Sequence, residues 1–331
     1  MKNSLRTLLK ALVTLGLIYW LFTKLEDPSK LWHQFVNANK GMLLIATICY
    51  TGAVATGAVK WGILLRSAGI ELSLPQLLRY QWMAEFFNNF LPGAVGGDVV
   101  RGVSLASDTK RRADALTSVL IDRFIGLMVF TLAATFASIS VLIWGHPNGT
   151  SFVGDQRLYM SVIAVGSALV TLALLTLIAV LLSRRLKEWL DTVLLRLPLL
   201  RRLSPHWQRL AVSLNVHRSS SGALIRSAFG SLIIVLLTSA TLWLVAEAIQ
   251  PGSVSFLEML VVNPMIVFAL IAPLSPGGLG VRQVSLAYLF LLIGSSYDLG
   301  AAVGVVQQLL TYLVSIPGGV LWLLGRQKPD L

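Results

Sequence analysis

The chain has 331 residues, of which 55% are hydrophobic and 13% are charged, and its mean hydropathy is +0.75. Soluble domains carry about 25% charged residues, and several apolar runs here exceed the ~20 residues that a helix needs to cross a bilayer. These values exclude a soluble enzyme, a disordered chain and an outer-membrane barrel, whose strands alternate in short stretches. The net charge of +12 therefore indicates cytoplasmic loops that meet anionic lipid, and we expect no nucleic-acid partner.

Continuous apolar stretches predict six full transmembrane helices. They lie near residues 8–24, 41–65, 117–144, 158–183, 223–249 and 300–325. The first stretch follows a basic N-terminus as a signal peptide does, but no small-residue cleavage site comes after it. We therefore predict an uncleaved first span in an all-α polytopic membrane protein.

Two further apolar regions, 74–105 and 256–294, are broken at the middle by proline and glycine. The breaks are LPGAVGGD at 91–98 and APLSPGGLG at 272–280. Helix breaks at membrane depth are tolerated only where the backbone packs in protein or lines a wet cavity. We predict two re-entrant hairpins, with two short full crossings as the alternative for either region.

The distribution of basic residues predicts the orientation. With both termini cytoplasmic and both hairpins returning to their side of entry, the inside segments hold 19 Lys and Arg and the outside segments hold four. This bias predicts a multi-pass protein of the cytoplasmic (inner) membrane. The cytoplasmic loop 184–226 carries nine of the basic residues and an amphipathic stretch around 186–200, which predicts contact with anionic headgroups.

The order of elements predicts an internal repeat. Residues 1–145 and 157–326 each comprise two spans, a broken hairpin and a further span. Three crossings per half would place the second copy upside down in the membrane. In transporters with inverted repeats, paired broken helices meet near the midplane and form the binding site.

The segment 85–123 concentrates the polar residues that point to a site. Its candidate residues are Glu85, Asn89, Pro92, Gly93, Gly96, Gly97, Asp98, Arg101, Asp122 and Arg123. Ionisable residues at membrane depth cost at least ~2.5–3.5 kcal/mol each and usually serve a cavity or pathway. Glycines free backbone N–H groups to meet a ligand, and a helix beginning near Gly97 would direct its positive end at an anion such as a lipid phosphate.

Arg101 and Arg123 are the predicted principal anion ligands, because guanidinium binds phosphate bidentately. In the alternative interpretation, Asp98 with Arg101 and Asp122 with Arg123 only neutralise one another in a packed core. The glycine run lacks the Gly-Lys-Ser/Thr ending of a nucleotide loop, and the four histidines lack ligand spacing. We therefore expect no cofactor and no metal.

Three motifs resemble the flippase-like family of lysylphosphatidylglycerol synthase membrane regions. They are Asn89 to Arg101, Asp122 to Gly126, and Ser275-Pro276-Gly277-Gly278-Leu279-Gly280-Val281. In larger members, this module is implied to move aminoacylated phosphatidylglycerol between leaflets, while a separate soluble domain makes the lipid. The present sequence ends at Leu331, so the resemblance does not imply aminoacyl transfer. It adds Pro276, Gly277, Gly278 and Gly280 to the candidate site.

The sequence departs from this family at two places. Arg282 and Gln283 stand where an acidic residue is common, and Gln307 and Gln308 stand where a basic residue is usual. If those positions pair across the site, Gln283 and Gln308 would keep a neutral version of the contact. Arg282 then becomes a candidate phosphate ligand, with a snorkelling arginine as the alternative.

The remaining polar and small residues predict less specific roles. We expect Lys60, Glu247 and Glu258 to reach water near helix ends. Gly300 and Gly304 form a GxxxG pair, which favours close helix packing inside the chain.

The function predicted from the sequence is that of a lipid translocase. It would bind a polar or anionic headgroup, of a phospholipid or a polyprenyl or glycosyl lipid, between the two hairpins. One alternative is a membrane enzyme for lipid-linked sugars, phosphates or aminoacyl phospholipids, with Glu85, Asp98 or Asp122 as base. Another is an accessory protein for a lipid-synthesis enzyme. Catalysis is the less favoured interpretation.

Overall fold

The computed structural model describes residues 2–25, 35–91, 96–109, 112–145, 155–182 and 221–325, and this part of the chain is helical and without β-strands. The main helices are α1 (Lys2–Lys24), α2 (Lys40–Ser67), α3 (Leu74–Asn88), α4 (Gly96–Thr109), α5 (Arg112–Trp144), α6 (Gln156–Leu182), α7 (Ser221–Ile249), α8 (Phe256–Ile271), α9 (Val281–Leu292) and α10 (Tyr297–Gly325). Pro92, Gly93 and most of the loop 184–226 lie outside the described residues.

Long apolar helices confirm the predicted fold class of an all-α polytopic membrane protein. Within the described ranges, α2, α5, α6, α7 and α10 are long and apolar enough to cross a membrane. They coincide with five of the six predicted spans. The remaining predicted span, 8–24, falls in α1, whose apolar part Leu12–Lys24 is shorter.

Each of the two Pro/Gly-containing regions contains a pair of short helices, and the described residues between them, 89–91 and 272–280, are irregular. The first pair is α3 and α4, and the second is α8 and α9. Ser73 and Ser255 are the N-cap residues of α3 and α8, and each donates to the side chain three positions on. Ser255 Oγ also accepts the reciprocal bond from the Glu258 N–H at 3.2 Å. The Ser73 N–H donates to Gln76 Oε1 at 3.0 Å, and the Ser255 N–H donates to Glu258 Oε2 at 2.7 Å. Whether either pair is re-entrant stays a prediction.

The first helix of each pair packs against a long helix of the other half of the chain. α3 lies against α10, α8 lies against α5, and α2 and α7 make the most extensive helix contact. A two-fold relation between the halves would exchange the first two contacts and preserve the third. The inverted repeat and its boundaries remain predictions.

Close packing of α9 on α10 depends on the GxxxG pair. A Cβ added to Gly300 would lie 2.6 Å from the carbonyl oxygen of Leu286, and one added to Gly304 would lie 2.8 Å from Cα of Gln283. Real Cβ atoms do not approach so closely, so these glycines allow the two backbones to touch. The expected packing within the chain is confirmed.

Candidate functional site

Two adjoining cavities lie among the broken helix pairs. The hairpin cavity has a volume of about 240 Å³, and it is lined by Tyr50, Glu85, Asn88, Asn89, Arg123, Phe130, Thr238, Asn263, Ile266, Val267, Leu270, Gly277, Gly278, Arg282, Gln307 and Thr311. The ion-pair cavity has a volume of about 210 Å³, and its charged lining residues are Lys60, Glu85, Asp98, Arg101, Asp122 and Arg123. Glu85 and Arg123 line both cavities, so the same charges face both spaces.

Five of the six charged residues around the ion-pair cavity, all except Glu85, form a continuous chain of contacts. Lys60 Nζ lies 3.0 Å from Asp122 Oδ1, and Arg101 Nη2 lies 3.1 Å from Asp122 Oδ2. Arg101 Nη2 also lies 3.2 Å from Asp98 Oδ1, and Arg123 Nε donates to Asp98 Oδ2. Two carboxylates are thus shared among three cations. Such pairing offsets the cost of burying charged side chains at membrane depth.

Arg101 is enclosed by protein partners. Its exposed fraction is 2%, it donates to Gln81 Oε1 at 2.7 Å, and its guanidinium lies 4.5 Å from the ring centroid of Trp61. These contacts agree with the interpretation of Arg101 as an internal ion-pair partner. Its predicted role as an anion ligand stays a prediction.

Some charged residues have partners that differ from the expected ones. Arg123 reaches Asp98 rather than its neighbour Asp122. The expectation that Lys60 and Glu258 reach water is wrong, because their exposed fractions are 6% and 3%. Lys60 donates to Ser231 Oγ at 3.0 Å, and Glu258 is held in the cap of α8. Glu247 accepts hydrogen bonds from the Gly252 N–H.

Arg282 is the charged group of the hairpin cavity that lacks a bonded partner. It lies in the first turn of α9, lines the cavity, and forms no ion pair with any described residue. Its buried Nε has no hydrogen-bond partner. Glu85 and Tyr50 lie near enough to interact with it electrostatically, and Glu85 already accepts a hydrogen bond from the Tyr50 hydroxyl.

The irregular stretches of the two helix pairs meet at the hairpin cavity. Gly277 and Gly278 line it with φ of 58° and 73°, a region that favours glycine. The Gly277 N–H lies 3.4 Å from the carbonyl oxygen of Leu91, and a Cβ on Gly277 would collide with the backbone of Asn89. The amide of Asn89 donates to Ser315 Oγ of α10 at 2.7 Å.

Among the described residues, the other predicted site residues of this kind, Gly96, Gly97, Pro276 and Gly280, contact protein and line neither cavity. Gly96 lies against the Leu91 side chain, Gly97 against the backbone of Ala84, and Gly280 against α1 at Leu17. The Gly97 N–H donates to Asn88 Oδ1 at 2.7 Å. Pro276 accepts a hydrogen bond from the Leu279 N–H within its own turn.

The predicted neutral contact between Gln283 and Gln308 does not form as a hydrogen bond. Gln283 Oε1 accepts from the Gly280 N–H at 2.8 Å and so helps to begin α9. Gln308 is 2% exposed, and neither atom of its amide has a partner among the described residues. Its neighbour Gln307 lines the hairpin cavity instead.

Several residues that line the hairpin cavity were not among the site residues predicted from the sequence. They include Tyr50, Asn263, Gln307 and Thr311. Asn263 and Gln307 lie inside strongly apolar helices, which was a usable signal. Asn263 of α8 forms hydrogen bonds across a helix interface, as polar residues in membrane helices often do. Its amide donates to Thr238 Oγ1 at 2.8 Å and to Ser239 Oγ at 3.0 Å, both on α7.

Comparison with known proteins places this architecture in a family. The model of the lysylphosphatidylglycerol synthase TM region matches residues 7–318. The chain is also similar to the UPF0104 membrane protein PH1989 of Pyrococcus horikoshii, with 23% identity over 350 residues that cover 99% of this chain and 98% of the relative. The chain therefore belongs to the family of lysylphosphatidylglycerol synthase TM regions.

Proposed function

We propose that this multi-pass membrane protein is a flippase-like lipid translocase that binds an anionic lipid headgroup in the hairpin cavity. The family gives a lipid-related membrane role, and the proposal adds the site and the movement. The single observation that carries it is Arg282, a permanently charged side chain at a cavity wall with no ion-pair partner among the described residues.

A phosphate would satisfy this guanidinium. The Nε of Arg282 is a buried donor without a partner, and two oxygens of a phosphate can accept hydrogen bonds from a guanidinium in bidentate geometry. Arg123 lines the same cavity, and its side chain is about one-third exposed. Two guanidinium groups therefore face the space in which a headgroup would lie.

The cavity is also suited to an amphiphile. Phe130, Ile266, Val267 and Leu270 give the lining an apolar part, and the charged and amide side chains give it a polar part. A lipid presents the same division between acyl chain and headgroup. This division supports a lipid substrate over a small soluble anion.

The shared lining of the two cavities supports movement between leaflets. Glu85 and Arg123 belong to both, so a headgroup that moves from one to the other keeps a charged partner throughout. The sequence has no nucleotide-binding loop, and transport would be driven by a lipid gradient, the membrane potential or a coupled ion.

The proposal is tested with pure protein in liposomes containing acyl-chain-labelled phosphatidylglycerol or phosphatidic acid, with dithionite reporting the outer leaflet. We expect wild type to expose inner-leaflet label, and Arg282→Ala to slow this at least about tenfold, the effect of losing one charge-assisted hydrogen bond. Arg157→Ala is the matched control, because Arg157 is exposed and lines neither cavity.

Equal rates for Arg282→Ala and wild type with both lipids, in proteins of equal thermal stability, would overturn the proposal. Mass spectrometry of the recovered lipid tests the enzymatic alternative. Glu85 is the candidate base for that alternative, because this carboxylate lines both cavities. A change in lipid structure that depends on Glu85 would favour an enzyme over a translocase.

A further inference from the structure

We infer that Glu85 takes up a proton when an anionic lipid enters the hairpin cavity, so that lipid and proton cross the membrane together. The inference rests on the proposed function and names the coupled ion. Glu85 lies on α3 and lines both cavities. Among the carboxylates that line them, it is the one that forms no ion pair with a described residue. A carboxylate at membrane depth commonly belongs to a proton pathway.

The other two carboxylates are already occupied by cations. Asp122 Oδ1 faces Lys60 and its Oδ2 faces Arg101, while Asp98 Oδ1 faces Arg101 and its Oδ2 faces Arg123. A proton on either aspartate would have to displace one of these cations. Asp98 and Asp122 therefore serve as fixed charges.

Glu85 differs from the aspartates because its bonded partner is neutral. The Tyr50 hydroxyl of α2 donates to Glu85 Oε1. A phenolic hydroxyl can also accept a hydrogen bond, and a protonated carboxyl group can donate one. A proton can therefore bind to Glu85 and leave it without breaking the hydrogen bond between α2 and α3.

The charged and titratable residues near Glu85 come from several helices. Those that line the same cavities are Tyr50 and Lys60 of α2, Asp98 and Arg101 of α4, Asp122 and Arg123 of α5, and Arg282 of α9. Tyr312 of α10 interacts with Arg282. Arg282 is the cation of this set without an ion-pair partner among the described residues, and it interacts electrostatically with Glu85. Glu85 and Arg282 are thus the two opposite charges left to balance one another.

An anionic headgroup changes this balance. The phosphate that binds Arg282 neutralises the cation that faced Glu85, and it brings a second negative charge into the same cavity. Like charges repel strongly where the dielectric constant is low, and this repulsion disfavours the ionised carboxylate. A proton from solution forms an O–H bond with Glu85 and removes the repulsion. By linkage, the proton strengthens lipid binding to the same extent.

The coupling gives transport a direction. A lipid with one negative charge crosses with one proton as a neutral unit, so the membrane potential neither drives nor opposes it. Protons move from the acidic to the alkaline side, and the lipid accumulates in the leaflet that faces the alkaline side. This direction does not depend on how the protein is inserted, because the pH gradient alone sets the coupled equilibrium.

The test uses proteoliposomes with a trace of acyl-chain-labelled phosphatidylglycerol and an alkaline interior. Equal potassium on both sides with valinomycin removes the membrane potential, and dithionite reports the outer leaflet. With a gradient of about one pH unit, we expect wild type to enrich label in the inner leaflet towards about tenfold, the proton ratio across the membrane. Protein-free vesicles measure the passive redistribution that is subtracted.

Glu85→Gln keeps the shape of the side chain and removes the proton site, so it should distribute the label equally. Glu71→Gln is the matched control, because Glu71 is exposed and lines neither cavity. This control should enrich the label as wild type does. Equal leaflets or enrichment on the acidic side in wild type, or enrichment that survives in Glu85→Gln, overturns the inference.

A binding measurement decides the matter if Glu85→Gln does not move lipid. Dioctanoyl-phosphatidylglycerol is titrated into the detergent-purified full chain, because its phosphodiester keeps one negative charge near neutral pH. Wild-type affinity should fall by at least about threefold from about pH 6 to about pH 8, since an ionised Glu85 repels the phosphate. The affinity of Glu85→Gln should stay constant. Wild-type affinity that is independent of pH, or the same fall in Glu85→Gln, contradicts the inference.

The proposed function and this inference fail in different ways. If wild type does not expose inner-leaflet label in the absence of a gradient, the lipid translocase itself is wrong. If wild type exposes the label but does not enrich it under the gradient, the translocase stands and only the proton coupling falls.

Discussion

Lys60 joins three helices at one buried ammonium group. It is on α2, and it contacts Asp122 of α5 and Ser231 of α7. Removing one partner of a buried ion pair leaves the other charge inadequately paired, which costs about 3 kcal/mol or more. Lys60→Met should therefore lower the thermal unfolding midpoint in detergent markedly, as measured by tryptophan fluorescence.

The control for this prediction is Lys40→Met, because Lys40 is exposed on the same helix. The double variant Lys60→Met with Asp122→Asn should lose less than the sum of the two single variants, since the second change removes the buried carboxylate charge that the first leaves without its lysine partner. Additive losses would mean that Lys60 and Asp122 do not stabilise one another.

The sequence could predict which acidic and basic residues share a neighbourhood, but not how they pair. Asp98 and Arg101 are three residues apart on one helix, and their contact follows from helical geometry. Asp122 and Arg123 are adjacent, so their side chains point in directions about 100° apart, and Arg123 turns to Asp98 instead. The partner of Lys60 lies 62 residues later, a distance that no local pattern reports.

Glycines set the distance between helices α3 and α10. A Cβ on Gly318 would collide with the backbone carbonyl of Trp82, and one on Gly319 would lie 2.6 Å from the Phe86 ring. Gly318→Ala must therefore push the helices apart, and we expect a loss of about 1–3 kcal/mol from overpacking. Thermal unfolding of the purified protein in detergent measures it.

Gly166→Ala is the matched control on α6, because nothing lies within 4 Å of the added Cβ. Alanine favours a helix over glycine, so this variant should be neutral or slightly more stable. If Gly318→Ala unfolds at the wild-type temperature, α3 and α10 can move apart without loss of stability, and the prediction is wrong.

At the level of elements, apolar run length and Pro/Gly interruption predicted most helices and both breaks. The role of individual glycines was less readable. Gly97 was expected to expose its backbone to a ligand, yet it packs on α3. The sequence could not distinguish these roles, because a glycine suits both a ligand-binding turn and a close contact between helices. Only the fold decides which of the two applies.

The orientation of the whole molecule remains a prediction that labelling can test. On a Cys49→Ala background, Asp155→Cys should react with an impermeant maleimide added to intact cells, because Asp155 precedes α6 on the predicted outer side. Gly222→Cys, at the start of α7, should react only after permeabilisation. Both positions are exposed, so access to the reagent depends on sidedness alone.

The reverse labelling pattern would overturn the orientation. Reaction of both cysteines from outside would instead contradict the topology, since α6 would then not separate them by one crossing. The repeat interpretation depends on this result, because inversion requires an odd number of crossings in each half.

The arrangement of the whole molecule was less predictable than its parts. Charge bias and hydropathy predict crossings and sides, which depend on the bilayer. They do not report that α3 contacts α10 or that Gly277 meets Asn89, because those contacts depend on shape complementarity between distant segments. The hairpin cavity is a product of these contacts, and residues such as Tyr50 joined the site only through them.

Helix α10 has a consequence for biogenesis. In its most apolar window, 72% of residues are buried inside protein, compared with 17% for α6. A helix bearing Gln307, Gln308, Thr311 and Ser315 is poorly matched to hydrocarbon and gains its stability from helices already assembled. The ribosome makes α10 after the other nine main helices of the described residues, so its docking partners α3 and α9 have been synthesised before it emerges. Chain order therefore allows the most polar crossing to enter a prepared protein environment rather than bare lipid.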